Sequence, residues 1–170
     1  MATPTNLPAA AVSGDILTAA YVNDLRGAFR ILQVVTTTKT DTFTTASATF
    51  VDVTDLSVTI TPQSTTNKIL VFATVSANAD SANIYSLNLL RGATNIAQPG
   101  AGANKATIQG IQQTAQQTET IIFLDSPASI AAQTYKIQAK TNGGNFYINR
   151  ASAAADFTSV SSITVLEISA

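Results

Sequence analysis

The chain has 170 residues, 45% of them hydrophobic, which is the size of one domain with room for a short extension and enough apolar mass for a substantial core. Only 11% are charged, against roughly 25% in a typical globular domain, so the polar surface falls to Thr, Ser, Asn and Gln. The net charge is −1 with Lys and Arg scattered singly, which leaves no cationic cluster of the kind nucleic-acid binding requires.

Residues 1–14 are rich in Ala, Pro and Thr and read as an extended arm: either a disordered terminus or an arm that orders on a partner. The opening MATPTNLPAAAVSGD has neither the basic start nor the apolar centre of a secretory signal. No apolar run approaches the roughly 20 residues a membrane-spanning helix needs.

Ile16 to Leu32 is the one convincing helix candidate, with Thr18 as N-cap and Val22, Leu25, Phe29 and Leu32 at helical spacing on one apolar face. A helix this short must pack on something, either its own β-domain or another subunit. We take residues 1–32 as an attachment segment, with Val22, Leu25 and Phe29 as the partner-docking residues, and residues 33–170 as a separate β-domain.

From Gln33 onward the pattern is strands and turns. Gln33 to Lys39 is a β-branched run, and Asp41 to Asp55 holds Phe43, Phe50, Val51 and Val53 in two short strands. Leu56, Val58 and Ile60 alternate with polar residues, the mark of a half-buried strand, and Pro62 ends the ladder. Ile69 to Ala73 is continuously apolar, which predicts a strand covered on both faces. Ile84 to Arg91 alternates around Tyr85, Leu87 and Leu89, then turns at Gly92 to Asn95 into a short strand near Ile96.

Gln98 to Gln117 reads as a long surface loop with one short strand near Ile108. Thr118 to Asp125 is a strand broken by Ser126-Pro127-Ala128. Tyr135, Ile137 and Ala139 alternate with Lys136, Gln138 and Lys140. Asn142-Gly143-Gly144-Asn145 is a hairpin signal, with Phe146 to Ile148 expected as the returning strand. Ala151 to Thr158 is a small-residue loop, and Ser162 to Ile168 closes the fold. Nine or ten evenly spaced strands predict an all-β protein: a jelly-roll β-sandwich or a small closed barrel, preceded by the arm and helix.

The chemistry of catalysis is missing. With no His, the chain lacks the commonest general base and zinc ligand, and with no Cys it has no thiolate site. Its two Glu, Glu119 and Glu167, fall on separate strands, and most Asp residues sit at turns. Asp52 with Asp55, and Asp80 with Asn83, are weak candidates for calcium, more simply read as turn formers. Gly100, Gly102 and Gly110 match no phosphate loop. No cofactor, metal or catalytic residue is expected, and the chain is read as non-enzymatic. Tyr21, Tyr85, Tyr135 and Tyr147 could stack on sugars but are better read as core or interface aromatics. A glycan site would belong on the loops Gln98 to Gln117 or Ala151 to Thr158.

Gly14 to Ala20, followed by Asn23-Asp24-Leu25-Arg26, resembles the start of many tailed-bacteriophage virion proteins. Thr65 to Val71, Leu90 to Thr94, Thr134 to Gln138 and Ser162 to Ile168 resemble the β-domains of phage fibre and decoration proteins. Together these segments cover most of the chain. The resemblance implies a compact jelly-roll head, similar in kind to trimeric tumour-necrosis-factor-like domains, carried on an N-terminal attachment segment. The expectation is a surface-exposed homotrimer bound to another virion structural protein, in a capsid decoration, head fibre or short tail-tip piece. The alternative is a tail-fibre module recognising host surface glycan. Either would reside on the virion, without nucleic acid or membrane insertion.

Overall fold

The computed structural model describes residue 18 and residues 31–80, 83–111, 116–152 and 156–169. Thr18 apart, residues 1–30 lie outside these, and with them most of the expected helix and its docking residues Val22, Leu25 and Phe29. Ile31 and Leu32 stand in a strand, so the β-domain begins two residues before the expected boundary.

Eleven strands form the described chain. They are β1 (Ile31–Lys39), β2 (Phe43–Thr45), β3 (Val51–Ile60), β4 (Lys68–Ala79), β5 (Ile84–Arg91), β6 (Thr94–Asn95), β7 (Ile108–Ile111), β8 (Gln117–Asp125), β9 (Gln133–Thr141), β10 (Phe146–Ile148) and β11 (Ser161–Ile168). There is no helix among the described residues. One antiparallel sheet holds β1, β11, β4 and β8 in that order, with β2 and β10 extending the places of β1 and β11 toward the far end of β4. The other runs β3-β9-β5, with β7 and β6 sharing the free side of β5. The chain passes back and forth between the sheets as it proceeds, the winding of a jelly-roll-like sandwich.

Alternation fixes which side chains face in. Leu56, Val58 and Ile60 of β3, Ile69, Val71, Ala73 and Val75 of β4, Tyr135, Ile137 and Ala139 of β9, and Ile163 and Val165 of β11 form one buried core. The turn Gly92-Ala93 joins β5 to β6, with Gly92 at φ 57°, a left-handed conformation that glycine adopts without a Cβ penalty. The strands expected around Phe50 and around Val58 are one strand, β3, bent by a bulge between Asp52 and Ser57 where Asp55 takes φ 59°.

The expected hairpin at Asn142 to Asn145 is overturned. β9 belongs to the β3-β9-β5 sheet, whereas β10 pairs with β4 and β2 of the other. The Gly143-Gly144 corner carries the chain across the sandwich. Asp80 anchors it: its Oδ2 accepts from Asn145 N at 2.8 Å and its Oδ1 from the Tyr147 hydroxyl at 3.0 Å.

The sheets are also tied by polar groups pointing inward. Tyr135 (β9) donates to Asp125 Oδ2 (β8) at 2.7 Å, and Arg91 (β5) to the same oxygen at 2.6 Å. Tyr85 (β5) donates to Glu119 (β8) at 2.5 Å while its ring stacks on Phe146 at 4.8 Å. Burial first, then the carboxylate partner, pushes both phenols well above the usual tyrosine range. At the end of the core, Glu167 is fully buried and accepts from Asn67 Nδ2, Gln33 Nε2 and Gln63 N at 2.5, 2.6 and 2.7 Å. Burial pushes this carboxyl up, but those hydrogen bonds together outweigh it and hold it below the usual carboxylate range.

Candidate functional site

Two surfaces stand out. The first is the outer face of the β1-β11-β4-β8 sheet. Residues directly opposite on paired strands share a face, so the register builds rows across all four strands. One row is Val34, Leu166, Leu70 and Leu124; the next is Thr36, Thr164, Phe72 and Ile122; the third is Thr38, Ser162, Thr74 and Thr120. None of the twelve is charged. Val34 is 57% exposed, Leu124 54% and Ile122 61%, with Phe72 beside them. The apolar run Ile69 to Ala73 was expected to be covered on both faces; among the described residues its outer face is open at Phe72. Six of the twelve, Val34, Leu166, Leu70, Leu124, Phe72 and Ile122, are apolar and adjoin one another beside a hydroxyl-rich row, a patch of the kind interaction surfaces use.

The second is on the outer face of the opposite sheet. Here the register places Gln109 (β7), Ser86 (β5) and Lys140 (β9) in one cross-strand row, with Ile84 and Asn142 at the next position. The segment between β6 and β7 folds over this row. Thr107 N reaches Leu87 O at 3.0 Å, Gln109 Nε2 reaches Asn104 O at 3.0 Å, and Lys140 Nζ donates to Ala103 O. Ile84, Ser86, Asn104, Gln109, Lys140 and Asn142 line a cavity of about 370 Å³. Lys140, on the face opposite Tyr135, Ile137 and Ala139, is only 8% exposed, and its Nζ lies 5.0 Å from the centre of the Phe50 ring.

The other sequence candidates resolve into structural roles. Asp52 is bound by Lys136 at 2.7 Å and Gln138 at 2.8 Å, and the Lys136 hydrogen bond leads in holding its carboxyl below the usual range. Asp55 sits in the β3 bulge, and Asp80 serves the Asn145 corner. No cluster of three or more metal-ligating side chains occurs among the described residues. Tyr85, Tyr135 and Tyr147 are buried, the core reading of these aromatics; Tyr21 lies outside the described residues. The long loop Gln98 to Gln117 does contain a strand, β7, and contributes Asn104 and Gln109 to the cavity. Sequence reasoning missed Ser86, Lys140 and Asn142. Their positions on alternating strands put them on the outer face, but nothing local says that a distant loop closes over them.

No protein-family model matches the chain, and no curated protein matches it. Among solved structures it is similar to that of the infectious bursal disease virus Gx strain, at 14% identity and a TM-score of 0.39, over 80% of this chain and 41% of that one. It is also similar to the VP2 subviral particle of infectious bursal disease virus, at 12% identity and a TM-score of 0.33, over 81% of this chain and 38% of that one. The chain thus spans about two fifths of the length of each. No residue role passes from either to this chain.

Proposed function

We propose that this protein is a non-enzymatic structural component of a bacteriophage particle, a surface-exposed homotrimer attached through its N-terminal segment. The observation that carries this reading is an uncharged patch on the outer face of the β1-β11-β4-β8 sheet, with Val34, Leu70, Phe72, Ile122, Leu124 and Leu166 side by side and Lys68 beyond them at the Ile168 end. An apolar patch calls for apolar cover, and in a homotrimer copies of this chain supply it to one another around the shared axis. The resemblance of the Gly14 to Arg26 segment and of the later strand segments to phage fibre and decoration proteins supports the virion setting. Within that setting the role is a capsid decoration, a head fibre or a short tail-tip piece, docked on another virion protein.

Light scattering on the full chain at micromolar concentration tests it. The expected result is a trimer, and a monomer for Ile122→Asp combined with Leu124→Asp, with the β-rich circular dichroism spectrum retained. A monomeric parent protein overturns the reading. A glycan-recognition role is favoured by a separate observation, the cavity at Lys140.

A further inference from the structure

We infer that the cavity over Ser86 and Lys140 is a binding site for a carboxylated sugar residue. The inference does not depend on the trimer: it rests on the opposite sheet.

The central fact is a largely buried lysine without a counter-ion among the described residues. Lys140 takes part in none of the ion pairs among the described residues, and its only hydrogen-bond acceptor there is the Ala103 carbonyl. A lysine carries three N–H donors, and burying them without an anion is costly unless a partner satisfies the charge. The Phe50 ring face covers one side of the ammonium. The row in which Lys140 stands opens toward the cavity, so an anionic ligand is the partner that fits.

The rest of the lining specifies what the anion is attached to. Ser86, 2% exposed, accepts a long hydrogen bond from Gln109 Nε2 at 3.4 Å and keeps its own O–H to donate. Asn142 Oδ1 accepts from Ile84 N at 2.7 Å, which leaves its Nδ2 as the donor it can offer a ligand. Asn142 Nδ2, Gln109 Oε1 and the Asn104 side-chain amide have no partner among the described residues. These amide and hydroxyl groups match the ring hydroxyls of a sugar, and Ile84 offers an apolar edge for its C–H face. The volume of about 370 Å³ lies at the small end for ligand pockets, room for one or two sugar rings. Four of the groups sit on neighbouring strands in fixed register, so the site is held before any ligand arrives.

Isothermal titration of the full chain tests this with N-acetylneuraminic acid and glucuronic acid as probes, and with glucose and acetate as controls. The expected result is saturable binding of at least one acidic sugar, with glucose and acetate each weaker by about tenfold or more. Lys140→Gln should weaken the acidic sugar by about tenfold or more with an unchanged circular dichroism spectrum. Should that variant fail to fold, Gln109→Glu, which sets a carboxylate in the cavity and keeps the buried lysine, should abolish binding of the acidic sugar. Absence of binding by both acidic sugars overturns the inference. So does glucose or acetate binding as well as the acid sugar, or full binding by the Gln109→Glu variant.

Discussion

Tyr135 donates its phenolic hydrogen across the sandwich to Asp125, 2.7 Å away, so an edge strand of one sheet is held by the central strand of the three-strand array opposite. Removing the hydroxyl with Tyr135→Phe leaves the ring in place but costs Asp125 one of its two donors, the other being Arg91. The expected loss is about 1–3 kcal/mol, read from chemical denaturation. A variant as stable as the parent would show that Arg91 alone satisfies the carboxylate.

The same bond has an alkaline signature. The phenols of Tyr85 and Tyr135 are raised in the folded state, so folding favours their protonated forms. Their contribution to stability is therefore complete below the unfolded-state value of about 10 and falls as pH rises above it. Spectrophotometric titration should show these two tyrosines ionising only as the protein unfolds. Reversible ionisation of all tyrosines near pH 10, with the fold intact, would contradict this.

Glu167 gives the opposite slope in acid. Its folded-state value is depressed, so its stabilisation is present above the unfolded value of about 4.3 and is lost as pH falls through the folded one. Glu167→Gln should cost about 1–3 kcal/mol at neutral pH, because its amide nitrogen replaces one of the two accepting oxygens and so faces either the Gln33 Nε2 donor or the Asn67 Nδ2 and Gln63 N donors with a donor of its own. It should also flatten the stability profile below pH 5. An unaltered acid limb would move the acid sensitivity to another carboxylate.

Gly110→Ala tests the packing of β7. A Cβ there would lie 2.2 Å from Tyr85 Cζ, and the ring is pinned between Glu119 and Phe146. The strain should cost about 1–3 kcal/mol or more. A melting temperature equal to that of the parent would mean that β7 can step away from the ring.

The attachment segment predicts a separable function. Deleting residues 1–30, which spares β1, should leave a folded trimer that no longer binds particles lacking the native protein. In the full chain, Asp substitutions at Val22, Leu25 and Phe29 should reproduce that loss. Parental occupancy by the truncated trimer would place docking on the β-domain instead.

Much of the sandwich was legible because its strands alternate. Tyr135, Ile137 and Ala139 announce one face of β9, and Leu56, Val58 and Ile60 one face of β3. The same period places Glu119 and Asp125 on the inner face with Ile121 and Phe123, and Glu167 with Ile163 and Val165, but the tyrosines that Glu119 and Asp125 bind across the sandwich lie on strands distant in sequence, and those pairings were not legible. Nor was the crossing at Gly143-Gly144. An Asn-Gly-Gly-Asn stretch specifies a change of direction, but which sheet Phe146 joins is decided by the far end of β4, distant in sequence. The cavity was hidden for the same reason: Lys140 looks solvent-facing until residues 96–107 are placed over it.

The position of Glu119 and Asp125 has one more consequence. Among the described residues β8 pairs only with β4, so its other side presents open backbone donors and acceptors to any passing strand. With Ile121, Ile122, Phe123 and Leu124 in sequence, such a rim would invite runaway stacking of chains. Its two inward carboxylates work against that. A strand adding to the rim in register would have to set its own side chains beside acids already committed to tyrosines of the opposite sheet. The groups that fasten β8 to the sandwich therefore also discourage growth from its edge, and a protein stripped of them by mutation should lose solubility along with stability.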